Sequence, residues 1–136
     1  MSNDKKTNGN KYSLRDAKFY NAWRRMFQFL VTHVFYMIRF KLVYRLEIYG
    51  KENIPSDNNF IVAANHLSTL DPPLVCGVMN RGVAYMAKKE LFENPFMCWW
   101  LDWLGAFAVD REKLGVSTIK TVKNLKETGW VLGIFP

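Results

Sequence analysis

Residues 60–73 read FIVAANHLSTLDPP, and this stretch decides the fold class. The apolar run Phe60–Ala64 predicts a short buried strand, because turn-forming residues stand on both sides of it. After the turn, Asp71 and Pro72 are typical of a helix start, with Asp71 as the cap and Pro72 in the first position. The stretch therefore predicts a strand, a turn and a helix in immediate succession.

The same alternation continues to the end of the chain. Three further apolar runs predict strands, at residues 83–87, 106–109 and 130–135. Between them, one helix is predicted to open at Asn94-Pro95 and end near Gly105, and another to be capped by Ser117 and to end at Gly129. This order predicts an α/β fold with a partial mixed sheet flanked by helices.

The first part of the chain carries a different pattern. From Ser13 to Phe40 the sequence predicts one helix, with Ser13 and Asp16 as a capping pair. Its polar residues form a narrow stripe opposite a broad apolar and aromatic face. The stripe consists of Lys18, Asn21, Arg24, Arg25, Gln28, Thr32 and Arg39. Alternating residues over 42–49 then predict a strand that ends at Gly50.

The chain is accordingly divided into a flexible tail (1–12), an amphipathic helix (13–41) and a domain that begins at residue 42. The formal net charge is +7, and all of this excess lies in the first 50 residues. The longest uncharged run near the start, Met26–Ile38, has 13 residues, which is too short for a membrane span. Two cysteines are too few for a disulfide scaffold and fit a reducing compartment.

A basic helix with a wide aromatic face favours a membrane surface over nucleic acid as its partner. We therefore expect residues 13–41 to bind anionic lipid, with no nucleic-acid partner. The expected lipid contacts are Lys18, Arg24, Arg25 and Arg39. The alternative is that the apolar face packs on the sheet.

His66 and Asp71 have the clearest chemistry in the opening stretch. Sites in open α/β sheets lie beyond the carboxyl ends of strands, and His66 follows such an end. The short turn lets the Asp71 carboxylate fold back onto the imidazole, fix its tautomer and stabilise the imidazolium. Such a pair without a protein nucleophile suits a general base acting on a substrate hydroxyl. The alternative is a surface histidine in a turn, with Asp71 serving only as a helix cap.

Basic side chains are expected at the same edge of the sheet. Arg111 stands just past a strand, where a guanidinium suits a bidentate phosphate contact. A surface arginine paired with Asp110 or Glu112 is the alternative. Lys88 follows another strand and suits a phosphate or thioester, or else belongs to a solvated charge cluster. Cys76 is interpreted as a buried thiol.

Three motifs, taken in order, resemble those of a known family. They are NH-x4-D at residues 65–71, GAFAVDR at 105–111 and GIFP at 133–136. Their order and spacing are similar to those of the glycerolipid acyltransferases, most closely the 1-acylglycerol-3-phosphate acyltransferases. The resemblance covers about residues 42–136. The family's third motif reads Phe-Pro-Glu-Gly-Thr-Arg, and this chain supplies only its first two residues, so we expect a truncated chain.

The resemblance implies a role for each site residue. His66 would be the general base and Asp71 would orient it, while Arg111 would hold the acceptor phosphate. Phe135 and Pro136 would belong to the acceptor-binding motif. The implied reaction moves a fatty acyl group from acyl-CoA or acyl carrier protein to the hydroxyl of 1-acylglycerol 3-phosphate (lysophosphatidic acid), giving phosphatidic acid.

Two alternatives stay open. One is the same chemistry on glycerol 3-phosphate or a lysophospholipid, and the other is a non-catalytic membrane-binding fragment. The acyl thioester is a substrate, so no cofactor is expected. The sequence has no cluster with metal-ligand spacing, so no metal is expected either. The expected location is peripheral, on the cytoplasmic face of a membrane.

Overall fold

The computed structural model describes residues 11–56 and 59–136, so the predicted tail lies outside the described residues except for Lys11 and Tyr12. The helices are α1 (Ala22–Val43), α2 (Asp71–Val78), α3 (Pro95–Trp103) and α4 (Val116–Leu125). The strands are β1 (Ile61–Ala63), β2 (Val83–Lys88), β3 (Phe107–Val109) and β4 (Val131–Ile134). The alternation of strand and helix predicted from residue 60 onward is confirmed. The predicted cap at Ser117 is wrong, because α4 already begins at Val116 after Gly115, and the helix ends at Leu125, before the predicted Gly129.

The four strands form one sheet in the order β1–β4–β2–β3. Every pairing is parallel, so the predicted mixed sheet is wrong for the described residues. The reason is the helix between each strand and the next, which returns the chain to the same end of the sheet. As a result, all four strands deliver their carboxyl ends to a single edge.

Helices cover both faces of the sheet. On one face α4 packs through Leu125 against Phe107 and Leu132, with Trp130 buried beside them. On the other face Cys76 of α2 packs on β2 and β4. The thiol of Cys76 is buried, as the sequence predicts, and burial raises its pKa to about 12.

Gly105 closes α3 and makes the fold sensitive to a single methyl group. Its φ is +79°, and an added Cβ would lie 2.5 Å from the Trp130 ring. We expect Gly105→Ala to lower the free energy of unfolding by about 2–4 kcal/mol, through backbone strain and overpacking together. Urea unfolding of the intact protein measures this loss. The control is Gly129→Ala, whose Cβ would approach only Arg25 at 3.9 Å. Equal stability of the two variants would contradict the prediction.

Helix α1 begins later than the sequence predicts. The Asn21 side chain caps it by accepting a hydrogen bond from the Arg24 amide at 3.0 Å. Asp16 caps only the single turn Ala17–Phe19, through the Phe19 amide at 2.9 Å. The predicted start at Ser13 is therefore wrong, because Asp16 begins a separate short turn and the helix itself begins only after Asn21.

The end of α1 lies within the segment where the sequence predicts a strand, residues 42–49. The helix runs on to Val43, and Arg45 then adopts a left-handed conformation with φ 49°. The Leu46 amide donates back to the Phe40 carbonyl at 3.0 Å, which ties the chain after this residue to the last turn of the helix. The strand predicted over 42–49 is wrong because its first two residues complete the helix.

The middle of the polar stripe of α1 faces the domain. Gln28 is 4% exposed and Thr32 is 3% exposed. The Gln28 amide donates to the carbonyls of Val83 and Leu104, both at 2.8 Å, and accepts from the Val83 amide at 2.9 Å. Gln28 thereby satisfies buried backbone groups at the start of β2 and the end of α3.

Two of the expected lipid contacts are also occupied within the domain. The Arg24 guanidinium pairs with Asp102 at 2.9 Å, and Arg15 pairs with the other oxygen of the same carboxylate at 2.6 Å. Arg25 donates to the Asn80 carbonyl at 3.0 Å. Asp102 thus holds the Arg24 guanidinium on the protein side while sharing its charge with Arg15, and the contact of Arg24 with lipid phosphates stays a prediction.

The opposite side of α1 carries a row of exposed apolar side chains, which we call the exposed row. Its members are Trp23, Met26, Leu30, Val34, Ile38 and Leu42, which are 46–77% exposed. A π-helical turn over Val31–Met37 widens the helix in its middle and lets Met37 and Phe40 reach the domain. The alternative that the apolar face packs on the sheet is wrong for the exposed row.

Candidate active site

His66 lies just beyond the carboxyl end of β1, and Asp71 is the first residue of α2. The imidazole Nδ1 is 3.1 Å from Oδ2 of Asp71. The side chains are 40% and 21% exposed, so the pair sits at the rim of the sheet and is open to solvent. The structure brings together the two side chains that the sequence placed in one site.

Asp71 organises the turn as well as the histidine. Its Oδ2 accepts hydrogen bonds from the amides of Leu67 at 2.6 Å and Ser68 at 2.7 Å. The Ser68 amide above all, together with the His66 side chain and the Leu67 amide, holds the pKa of Asp71 below its usual range. Asp71 thus caps the turn before α2, whereas the sequence suggested a cap on α2 itself.

The charge on Asp71 decides which nitrogen of His66 can act as a base. An ionised carboxylate only accepts hydrogen bonds, so the proton that it shares with His66 belongs to Nδ1. Nε2 is then the acceptor nitrogen of the neutral ring. Ser68 is engaged in the turn, where its hydroxyl accepts from the Leu70 amide at 3.2 Å.

Phe135 joins the pair at the end of β4. Its ring stacks on the His66 imidazole with centroids 4.6 Å apart, and on Tyr85 with centroids 5.4 Å apart. The Tyr85 hydroxyl donates to the Pro72 carbonyl at 3.0 Å. Sequence reasoning missed Tyr85. The available signal was a glycine, Gly133, which stands opposite Tyr85 in the sheet register.

Lys88 and Arg111 lie at the same carboxyl edge of the sheet as His66, but they follow other strands, farther along the strand order. Lys88 is the exposed last residue of β2, and Arg111 is exposed shortly after β3. β1 and β3 are the two outer strands, so three strand spacings of roughly 4.8 Å put the edge near Arg111 about 14 Å from the edge near His66. The structure therefore does not bring Arg111 to the pair. Pro136 is exposed beside Phe135.

The loop that carries Arg111 is held by its neighbour. Asp110 forms an ion pair with Lys89 at 2.5 Å and accepts a hydrogen bond from the Glu112 amide at 3.0 Å. These contacts lower the pKa of Asp110 and raise that of Lys89. Arg111 makes no ion pair with any residue in 11–56 or 59–136. Asp110 is thus paired with Lys89, and the guanidinium remains available to a ligand.

Comparison with known proteins assigns the chain to a family. The model of the family described as Acyltransferase matches residues 45–136. A 1-acyl-sn-glycerol-3-phosphate acyltransferase from Bacillus subtilis is 42% identical over 92 residues, which cover 67% of this chain and 46% of the relative. The protein of the same name from Streptococcus pneumoniae is 32% identical over 115 residues, covering 82% of this chain and 44% of the relative.

A more distant relative carries the same name. The 1-acyl-sn-glycerol-3-phosphate acyltransferase of Saccharomyces cerevisiae is 30% identical over 113 residues, which cover 80% of this chain and 37% of the relative. The chain spans less than half the length of each of these three relatives. No solved structure matches it at a significant level. The matched span contains the whole sheet, the His66–Asp71 pair and the Arg111 loop, and the chain belongs to the acyltransferase family.

Proposed function

We propose that the intact protein transfers a fatty acyl group from an acyl thioester, acyl-CoA or acyl carrier protein, to the hydroxyl of 1-acylglycerol 3-phosphate. The products are phosphatidic acid and the free thiol. The observation that carries the proposal is the hydrogen bond between His66 and Asp71 at the carboxyl edge of the sheet. The names of the relatives supply the acceptor class.

In the proposed reaction, Nε2 of His66 removes the proton from the acceptor hydroxyl. Asp71 stabilises the imidazolium that forms, because its negative charge lies 3.1 Å from Nδ1. The alkoxide attacks the thioester carbonyl, the carbon–sulfur bond breaks, and the departing thiolate takes up the proton from Nε2. General-base help of this kind is worth roughly 10²–10⁴ in rate.

Anionic groups of the substrates would be held at the same edge. Arg111 binds the acceptor phosphate and Lys88 a phosphate or the thioester, while Phe135 and Pro136 border the acceptor. To share one acceptor with His66, the Arg111 side chain extends over the ends of β2 and β4, which lie between them in the sheet. The site uses neither a metal nor a cofactor in this proposal.

The exposed row of α1 docks the protein on the cytoplasmic face of a membrane. The prediction that this segment is too short for a membrane span is wrong for the whole helix, because α1 has 22 residues and is long and apolar enough to cross a bilayer. However, 28% of its most apolar stretch is buried inside the domain. Gln28 ties the other side of the helix to β2, so α1 lies along the membrane with one face in lipid. Arg39 and Lys41 of α1 are exposed, as is Lys18 in the turn before the helix, and these cations attract anionic headgroups.

Helix α3 extends the docking surface. Phe27 of α1 packs against Trp100 and Trp103, with ring centroids 5.9 and 5.4 Å apart. Phe96 and Trp99 of the same helix are exposed. Aromatic side chains of this kind favour the interface between lipid and water.

An acceptor panel tests the proposed function. The intact protein is incubated with acyl-CoA or acyl carrier protein thioesters and with 1-acylglycerol 3-phosphate, glycerol 3-phosphate or a lysophospholipid. Mass spectrometry then identifies the acylated product. We expect phosphatidic acid to form fastest, with release of one thiol per ester bond. Preference for another acceptor would replace the substrate assignment, and thiol release without an acylated product would overturn transfer.

A further inference from the structure

Tyr85 connects both members of the His66–Asp71 pair to the sheet. Its ring stacks on Phe135, which in turn stacks on the His66 imidazole. Its hydroxyl donates to the carbonyl of Pro72, the residue directly after Asp71. A single side chain on β2 thus contacts the ring behind the histidine and the backbone beside the aspartate.

Gly133 makes this arrangement possible. It stands opposite Tyr85 in the pairing of β4 with β2. A Cβ added at Gly133 would overlap the Tyr85 ring, so the ring can lie across β4 only because this position has no side chain. The absence of a side chain at Gly133, the glycine of the GIFP motif, therefore allows the Tyr85 ring to contact Phe135.

The Cys76 thiol orients the hydroxyl of Tyr85. Cys76 donates a weak hydrogen bond from Sγ to the Tyr85 oxygen at 3.5 Å. Burial raises the pKa of both groups, so the thiol and the phenol keep their protons at neutral pH. The Tyr85 proton is then directed at the Pro72 carbonyl, which holds the first turn of α2.

His66 needs such support because little else restrains it. The side chain is 40% exposed, and one hydrogen bond to Asp71 leaves the ring free to rock about that bond. Stacking on Phe135 restricts the rocking, and the Phe135 ring is in turn stacked on Tyr85. Misplacement of a catalytic group by about 1 Å can cost 10²-fold in rate.

We propose that Tyr85 is a positioning residue for acyl transfer, which holds the His66 ring and the first turn of α2 in their productive relation. The inference rests on the proposed role of His66 as the base. It predicts that changes at Tyr85 act on kcat and on the tautomer of His66, with little effect on KM.

The test compares two substitutions in the intact protein. Tyr85→Leu removes the stack and the hydroxyl, and we expect kcat to fall by about 10²-fold while KM changes by less than about threefold. Tyr85→Phe keeps the stack and loses the Pro72 contact, and we expect a fall in kcat of roughly three- to tenfold. ¹⁵N NMR of the imidazole is expected to show the Nδ1–H tautomer in the unchanged protein and a mixture in Tyr85→Leu.

Met86→Ala is the matched control, because Met86 follows Tyr85 on β2 but packs on the opposite face of the sheet. It loses core packing and is expected to keep the kcat and the tautomer. If Met86→Ala and Tyr85→Leu lower kcat equally at equal stability, Tyr85 has no specific role. Should Tyr85→Leu fail to fold, wild-type kcat in Tyr85→Phe overturns the inference.

A parallel His66→Ala variant separates the inference from the function on which it rests. Retained turnover in His66→Ala means that the proposed base is wrong. Loss of turnover in His66→Ala, with unchanged kcat and tautomer in both Tyr85 variants, means that only the positioning role is wrong.

Discussion

Replacing His66 by alanine in the intact protein is expected to lower the kcat for acyl transfer by about 10³-fold, with little change in stability. The imidazole lies at the rim of the sheet and is 40% exposed, so its removal leaves no core cavity. What is lost is the base, because a hydroxyl with a pKa far above neutrality does not ionise unaided. Initial rates of thiol release, with thermal unfolding alongside, measure both effects.

Asp71→Asn separates the charge of the partner from its hydrogen bonds. Oδ2 accepts from Leu67, Ser68 and His66, so an asparagine is held with its oxygen in that position. The tautomer survives, but the imidazolium loses its counter-charge. We therefore expect a smaller fall in kcat than in His66→Ala, of about 10–10²-fold, the effect of removing one opposite charge beside the imidazolium.

His33→Gln is the control for both variants, because the chain has two histidines in total. His33 lies in α1 and stacks on Phe29 with ring centroids 4.0 Å apart. Its replacement is expected to leave kcat unchanged. Turnover close to wild type in His66→Ala would end the proposed mechanism.

The double substitution Leu30→Asp with Ile38→Asp is expected to weaken binding to anionic vesicles by about 10²-fold, since burial of each aliphatic side chain in lipid contributes roughly 1.5–3 kcal/mol. Both residues belong to the exposed row, at 47% and 52% exposure, so the change removes apolar contact without opening the core. Co-sedimentation with vesicles that contain phosphatidylglycerol measures the affinity.

Ile119→Asp is the matched control for the vesicle experiment. Ile119 is also an exposed apolar residue, at 62%, but it lies on α4 on the other face of the sheet. We expect this variant to bind vesicles like the unchanged protein. Equal loss in the control and the double variant would show that general hydrophobicity, and not the exposed row, determines binding. A shift to a dimer on removal of vesicles would identify a second copy as the occupant.

Local chemistry predicted the elements of the sheet correctly. Asn94 and Pro95 predicted the start of α3, and the Asn94 side chain does accept from the Phe96 and Met97 amides. Gly105 predicted its end, and it adopts a positive φ there. These signals succeed because caps and turns depend on the backbone of a few neighbouring residues.

Sequence patterns predicted the wrong structure where contacts with distant segments override the preference of the local sequence. The alternation after Leu42 favoured a strand, but the helix continues to Val43 and a left-handed Arg45 follows it. The polar stripe of α1 indicated a water or lipid face, yet Gln28 meets Val83 and Leu104 inside the domain. The sequence alone does not distinguish Gln28, whose amide satisfies three buried backbone groups, from a glutamine on the surface.

The chemistry at the rim followed a similar division. Short separation along the chain was enough to predict that His66 and Asp71 meet, because a tight turn allows few other outcomes. Arg111 was placed on the correct edge, but the strand order β1–β4–β2–β3 puts it across the sheet. Tyr85 reaches the pair through the Phe135 ring after β4 and through the Pro72 carbonyl of α2, so its contacts required the strand register and the packing of α2.

By itself, the sequence determined the alternation of strands and helices, the histidine–aspartate pair and the excess of positive charge near the start. Each of these depends on residues that are close along the chain or on simple composition. The tertiary structure alone decided which side of α1 is buried, how far Arg111 lies from His66 and what supports the imidazole. Those features depend on strand order and on packing between distant segments, which the periodicity of a single segment does not encode.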